Sequence, residues 1–312
     1  MEDILYLSIC IPTYNRAEYL DRTISSIVTQ TVFFQTGEVE IVISDNCSTD
    51  NTTEIVNKYI VQYGDKIKYY RNDTNIAEAN VEAVLKLGNG IFLKLNNDTL
   101  NHLNNSLILI LDFVKQNIKS KPELFFSNGL IKSNNELNHV SISSFISTTS
   151  FYSTWIACFG IWKQDINQIE NFNTIISEKL IIYVLFDLIK KKKRIVFENS
   201  NIFKTDSPAN KGGYNFYEVF AVNYINILKY YNNERQISDK VLFFEKAKLM
   251  IKFLIPWTLV LQDKDSGIAF TTNKGFKIIW NQYKFHPILY AGVLYYSIKR
   301  FQIYITSIFI KK

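Results

Sequence analysis

The sequence predicts an α/β protein: a doubly wound, mostly parallel sheet with helices on both faces, followed by a helical C-terminal region. Two observations predict the sheet and a third the extension. Short apolar runs alternate with helix-period segments through the first hundred residues, and such alternation implies right-handed crossovers and a parallel sheet covered on both faces. Each run also stops in a polar cluster: Thr13-Tyr14-Asn15-Arg16, Asp45, Arg71-Asn72-Asp73 and Asn97-Asp98. In open α/β sheets the carboxyl ends of the strands carry the ligand site, so four polar clusters converge on one edge. Beyond residue 211 only helical patterns remain.

Taken in order, residues 4–11 (ILYLSICI) read as a buried strand stopped by Pro12. Residues 17–30 place Leu20, Ile24, Ile27 and Val28 on one helical face. A β-rich run at 39–44 leads into the turn-rich segment 45–50. Thr52 or Thr53 then caps a helix bearing Ile55, Val56, Tyr59 and Ile60. A third strand is expected at 67–70, and a helix at 77–87 stopped by Gly88-Asn89-Gly90. A fourth strand at 91–95 runs directly into Asn96-Asn97-Asp98. Further on, 103–114 reads as helix, 124–127 and 140–146 as strands, and 141–153, rich in Ser and Thr, as a mobile loop. Residues 175–189 read as a buried helix, 190–194 (KKKKR) as a solvated turn or anion contact, and 195–198 as a strand. Helices are expected at 214–231, 238–260, 273–280 and 287–310. The domain boundary implied is 1–210 for the sheet domain and 211–312 for the helical, basic-aromatic region.

Three stretches carry a resemblance: LSICIPTYNR, EIVISDNCSTDNTTEIV and NIAEANVEAVLKLGNGIFLKLNNDTL. Together they resemble the N-terminal half of bacterial family 2 glycosyltransferases with the GT-A fold, over roughly residues 4–102. The nearest branch builds O-antigen and capsular polysaccharides, and KGGYNFYEVF at 211–220 is similar to that branch as well.

The resemblance implies a nucleotide-sugar donor, UDP- or dTDP-linked. Pro12, Thr13, Tyr14 and Asn15 would line the nucleotide pocket, and Asp45 would accept the base N–H, a role suited to an acceptor-only carboxylate. Asn80 would face the donor, and Asp50 reads as a local cap. The family's Asp-x-Asp motif is represented by Asn96, Asn97 and Asp98, and Asp98 is the implied ligand of Mn²⁺ or Mg²⁺, with the donor diphosphate and water completing the shell. The reaction implied inverts the anomeric carbon and uses one general base. The family's Glu-Asp pair is missing here; aligned by the following segment it falls on Leu180-Ile181. Glu178 is the nearest carboxylate, with Asp187 and Asp165 as alternatives. Arg71 is a phosphate candidate, and Trp155 and Trp162 flank the acceptor region. A non-catalytic nucleotide or glycolipid binder with a degenerate site is the alternative function.

Composition narrows the classes. At 47% hydrophobic and 21% charged residues, the 312-residue chain is globular and not disordered. Cys10, Cys47 and Cys158 are odd in number and far apart, so neither a disulfide framework nor a zinc site is expected, and a reducing compartment follows. Three histidines argue against a multi-histidine metal centre. Residues 1–150 carry a net charge of −5 and residues 151–312 one of +11. The acidic half argues against nucleic acid; the basic half fits an anionic partner. No basic segment precedes the first apolar run, and the uncharged stretch 285–298 falls short of the roughly 20 residues that span a bilayer, apart from its flanking lysines. A cytoplasmic protein is expected, touching the inner face of the membrane peripherally. The final segment mixes Trp280, Tyr283, Phe285, Tyr290, Tyr295, Tyr296, Phe301 and Tyr304 with Lys284, Lys299, Arg300, Lys311 and Lys312. Such mixtures suit a headgroup zone and an acceptor carried on a polyprenyl diphosphate.

Overall fold

The computed structural model describes residues 4–131, 136–168, 180–206, 211–263 and 268–310. It divides into two units, 1–144 with 152–207, and 145–151 with 208–312. The boundary lies three residues before the expected one, and the second unit also claims 145–151.

The first unit begins β1 (Leu7–Thr13), α1 (Ala17–Val28), α2 (Thr31–Gln35), β2 (Val39–Asp45), α3 (Thr52–Tyr63), β3 (Ile67–Arg71), α4 (Ala79–Leu87) and β4 (Phe92–Leu95). It continues through β5 (Leu100–His102), α5 (Ser106–Asn117), β6 (Glu123–Phe126), β7 (Glu136–Asn138), α6 (Ile142–Thr149, which runs on into the second unit), β8 (Gly160–Trp162), α7 (Leu180–Lys192), β9 (Arg194–Glu198) and β10 (Phe203–Thr205). The main sheet has the order β3-β2-β1-β4-β8, parallel except for β8. A second sheet, β6-β9-β7, and the short pair β10-β5 complete the unit. Chain order reverses between β1 and β4, which opens a crevice at their carboxyl ends.

Leu7, Ile9 and Ile11 of β1 and Ile41 and Ile43 of β2 are wholly buried against Leu20, Ile24 and Ile27 of α1. Each such side chain contributes about 1.5–3 kcal/mol of burial. The turn into β4 needs glycine: a Cβ on Gly90 would lie 2.6 Å from the Ser8 backbone nitrogen. The Gly90 N–H instead donates to the Ser8 hydroxyl (2.8 Å), which in turn donates to Glu40 (2.6 Å).

Three expectations fail here. Residues 140–146 are not a strand, and 141–153 is not an irregular loop: α6 and short 3₁₀ turns occupy this stretch. The period-2 reading of VSISSFI gave way to burial of Ile142, Phe145 and Ile146 at helical spacing. Nor is the C-terminal region wholly helical. Its elements are β11 (Lys211–Asn215), α8 (Tyr224–Asn233), α9 (Asp239–Leu249), α10 (Ile255–Leu261), β12 (Ile268–Thr271), α11 (Gly275–Tyr283) and α12 (Ile288–Ile310). β11 and β12 pair in parallel. Two π-helical turns, Glu218–Asn223 and Met250–Leu254, adjoin α8 and α10. In this unit Glu245, 2% exposed, accepts bonds from the Ser150 and Tyr224 hydroxyls, and burial still pushes its pKa up to about 7.

The basic string is not a free anion contact. Lys190 pairs with Asp187 (3.2 Å), Lys192 with Asp165 (2.6 Å) and Arg194 with Glu136 (2.8 Å).

Candidate active site

At the carboxyl end of β1 the chain leaves through Asn15, whose backbone is left-handed (φ 51°), a conformation asparagine tolerates better than most residues. This turn is pinned to the loop after β2. The Asn15 N–H donates to Ser48 Oγ (2.8 Å), and Asn15 Oδ1 accepts from the Thr49 N–H (2.7 Å). Asp50 serves two helices at once. Its Oδ2 accepts the Ala17 N–H opening α1 (2.9 Å), and its Oδ1 accepts the Thr52 N–H (3.2 Å) and hydroxyl (2.6 Å) opening α3. The expectation of a local cap at Asp50 understated its reach, since orphan N–H groups of both first turns are satisfied by one carboxylate.

Asp45 ends β2 opposite Thr13 and is 0% exposed. It accepts bonds from the Ser48 N–H (2.9 Å) and the Tyr69 hydroxyl (2.6 Å), and burial together with this carboxylate drives the Tyr69 phenol pKa upward. Arg71 Nη2 donates to the Ser48 carbonyl (2.9 Å), and Arg71 Nε lies 3.7 Å from Asp45. The guanidinium thus steadies the 47–48 loop. Asn80 belongs to the scaffold: its Oδ1 accepts from Ser44 Oγ (2.6 Å) and Asn72 Nδ2 (2.9 Å), and its Nδ2 donates to the Ser44 carbonyl (2.8 Å). That corrects the expectation of a donor-facing amide, because these bonds tie α4 to β2.

The crevice between β1 and β4 gathers the rest. The Asn96 N–H donates to the Cys10 carbonyl (2.8 Å), which continues the ladder beyond β4 and aims the next residues at β1. Asp98, nearly buried, accepts from Thr13 Oγ1 (2.9 Å) on one oxygen and from Arg16 Nη1 (3.0 Å) on the other. Its backbone carbonyl accepts from Thr23 of α1 (2.9 Å). Burial raises its pKa, opposed by Arg16 and Thr13. Asn97 Oδ1 accepts the Trp155 indole N–H (2.9 Å), and Asn96 Oδ1 lies 3.2 Å from His102 Nε2. Burial and the neighbouring Lys94 push the His102 pKa down to about 3, so the ring is neutral. Tyr14 stands half exposed at the rim.

Behind this crevice lies a residue that sequence reasoning missed. Lys94 of β4 is 0% exposed. Its ammonium donates to the Leu95 carbonyl (2.7 Å) and the Ala157 carbonyl, and lies 4.7 Å and 5.0 Å from the ring centres of Phe126 and Phe203. Burial pushes its pKa down to about 7. Lys94 therefore ties the strand that delivers Asn96–Asp98 to the turn that delivers Trp155. A lysine inside the apolar run IFLKL was the available signal.

Two expected site residues fall elsewhere. Asp165 follows β8, which is antiparallel to β4 with Trp162 opposite Phe92, so it lies at the amino end of β4, the edge opposite Asp98. There it pairs with Lys192 near buried Glu123, whose pKa burial raises well above the usual range. It is not placed to act as base in the crevice. Trp162 is core: wholly buried, it donates to the Pro122 carbonyl (2.6 Å) and meets Phe92 edge-on at 5.0 Å, so it offers no face to a sugar. Glu178 lies outside the described residues. Asp187 is buried within α7 beside Lys190.

Among the described residues no group of three or more His, Cys, Asp and Glu side chains surrounds a metal position. The oxygen donors at the crevice are one carboxylate and two amides. A hard divalent cation that draws its remaining ligands from a diphosphate and water fits that set, provided it displaces Arg16, whose side chain is 34% exposed.

A sheet of order 3-2-1-4 with a polar crevice at its switch point has the architecture in which open α/β domains bind their ligands. Residues 8–116, about a third of the chain, match the model of Glycosyl transferase family 2. Over 87 residues it is 42% identical to the abequosyltransferase RfbV of Salmonella typhimurium, a match covering 28% of this chain and 26% of that protein. It is 25% identical over 246 residues to the GalNAc(5)-diNAcBac-PP-undecaprenol beta-1,3-glucosyltransferase of Campylobacter jejuni, covering 74% of this chain and 76% of that one. The chain thus matches only about a quarter of the abequosyltransferase's length. Among solved structures, residues 1–349 of Staphylococcus aureus TarS with UDP-GlcNAc superpose with a TM-score of 0.55 at 18% identity, covering 84% of this chain and 77% of that one. The shared architecture is the GT-A fold.

Proposed function

We propose that the protein is an inverting glycosyltransferase. It moves a sugar from a UDP- or dTDP-linked donor to a hydroxyl of a growing surface polysaccharide, carried on a polyprenyl diphosphate, at the cytoplasmic face of the membrane. One observation carries the reading: Thr13, Arg16 and Asn96–Asp98 converge at the β1–β4 switch point of a family 2 domain. The UDP-GlcNAc held by TarS and the undecaprenyl-linked substrate in the Campylobacter enzyme's name support the donor and acceptor classes.

In this reading the turns at Pro12–Asn15 and 45–48 hold the base and ribose. Asp45 would accept the base N–H, since its two bonds leave a carboxylate further acceptor sites. Asp98 would hold Mn²⁺ or Mg²⁺, which, when bound, supplies charge to the leaving diphosphate. Arg16, released from Asp98, is placed to meet a phosphate oxygen, the charge-assisted contact in which arginine excels. Trp155, anchored through Asn97, offers a ring edge to the sugar. A carboxylate of the 178–187 stretch, Glu178 before Asp187, would take the acceptor proton during in-line attack.

The test is calorimetric titration with UDP, dTDP and GDP, with and without Mn²⁺, on the native chain and on Asp98→Ala, together with a donor-turnover assay. Metal-enhanced binding of UDP or dTDP that Asp98→Ala weakens at least tenfold is the expected result. Absence of binding by any nucleoside diphosphate sinks the donor-site reading. Binding without turnover for any sugar donor favours a non-catalytic nucleotide binder, the role to which the Asn-Asn-Asp motif also lends itself.

A further inference from the structure

The C-terminal unit leaves an apolar face in solvent. On α12, Leu289 is buried and Gly292 and Tyr296 line an interhelical groove. The opposite side carries Tyr290, Leu294, Ile298 and Phe301 at helical spacing, and Leu294 and Phe301 are each 64% exposed. A helix on the surface of a globular protein shows polar residues there; one that is apolar on both sides expects an apolar medium on its second side. The preceding helix extends the face. Phe276 of α11, 76% exposed, stacks on Trp280 at 6.2 Å, and Phe285, 91% exposed, lies beneath the Lys284 ammonium at 5.0 Å.

Two further features say what covers this face. No Asp or Glu occurs after Asp265, whereas Lys274, Lys277, Lys284, Lys299 and Arg300 all fall there. Lys274, Lys277, Lys284 and Arg300 are exposed. Between α10, α11 and α12 runs a groove of about 250 Å³ lined by Met250, Leu254, Ile255, Ile279 and Val293; its hydroxyls are satisfied internally, Tyr217 with Thr258 at 2.8 Å and Tyr296 by the Gln262 amide. Such a groove recognises hydrocarbon. A second copy of the same face would bring cations against cations with no acid to pair them, so charge selects an anionic apolar medium.

We propose that the α11–α12 face docks on the surface of an anionic bilayer. Phe276, Trp280, Phe285 and Leu294 enter the headgroup zone, and the lysines meet lipid phosphates. The inference deepens the lipid-linked acceptor reading and rests on it for its purpose, not for its geometry.

The full chain is tested by sedimentation with vesicles of phosphatidylcholine containing about 30% phosphatidylglycerol, and of phosphatidylcholine alone, while tryptophan emission reports insertion at Trp280. The expected result is partition into the anionic vesicles with a blue shift, at least tenfold weaker on neutral vesicles and at about 0.5 M salt. The triple variant Phe276→Ser, Phe285→Ser, Leu294→Ser loses at least tenfold. The charge-only variant Lys274→Gln, Lys277→Gln, Lys284→Gln loses the preference for anionic lipid. The proposal is overturned if the native chain ignores anionic vesicles, if both variants bind as it does, or if it prefers single-stranded RNA to vesicles. It is equally overturned if the serine variant instead dissolves a dimer seen by ultracentrifugation without lipid. Nucleoside diphosphate binding is measured without vesicles on the same preparations. Its loss counts against the transferase reading alone, and loss of vesicle binding counts against docking alone.

Discussion

Replacing Lys94 by methionine tests whether a buried ammonium sits behind the crevice. Burial takes this group from its ordinary pKa of 10.5 to about 7 in the folded protein. Between those two values the unfolded chain holds a proton that the folded protein lacks. Stability must therefore rise with pH over that window, and it is flat below it. Each unit crossed is worth about 1.4 kcal/mol. Since the group is half titrated at pH 7, it adds about 2 kcal/mol of stability by pH 9 and about 4 by pH 10.5. Methionine keeps the length and sits well beside Phe126 and Phe203, but leaves the Leu95 and Ala157 carbonyls without this donor, at about 1–3 kcal/mol each. Relief from burying the charge offsets that loss near pH 7. The slope is the discriminating quantity. Urea unfolding of both proteins at pH 7, 8 and 9 gives it, because all other titrating groups contribute alike and cancel in the difference. The native protein should gain about 2 kcal/mol on Lys94→Met from pH 7 to 9. A difference that stays constant across this range would refute the account of Lys94 as a depressed, buried amine.

Three further outcomes follow from the same geometry. Asp50→Ala removes the cap of both α1 and α3 and should cost about 2 kcal/mol in urea unfolding, twice an ordinary cap; a loss below about 0.5 would deny the shared role. Gly90→Ala forces a Cβ against the Ser8 backbone and should cost about 2–3 kcal/mol, read as a lowered melting temperature, whereas Gly64→Ala, with open space but φ +58°, should cost only about 1. Trp155→Phe keeps an aromatic ring beside Phe203 but loses the bond to Asn97, and should raise the KM for donor or acceptor about fivefold with kcat nearly unchanged; an unchanged KM would place Trp155 outside the substrate site.

The sheet was legible in the sequence because its strands are short apolar runs with polar stops and its crossovers are amphipathic helices. Those patterns are local, and they set the order in which Thr13, Asp45 and Asp98 meet the chain. What the sequence could not state is which donors each carboxylate satisfies. Asp45, Asp50 and Asp98 look alike as turn acids, yet one accepts from Tyr69, one opens two helices and one faces Arg16. Trp155 and Trp162 stand seven residues apart in one apolar stretch, and only the antiparallel pairing of β8 sends the second into the core. The same pairing carries Asp165 to the far edge of the sheet, although its distance along the chain made it a candidate base. Periodicity along the chain determined the layers and the edge on which a site forms. Strand order, register and burial decided which side chains share that site, because hydrogen-bond partners and local dielectric are properties of neighbours in space and not of neighbours in sequence.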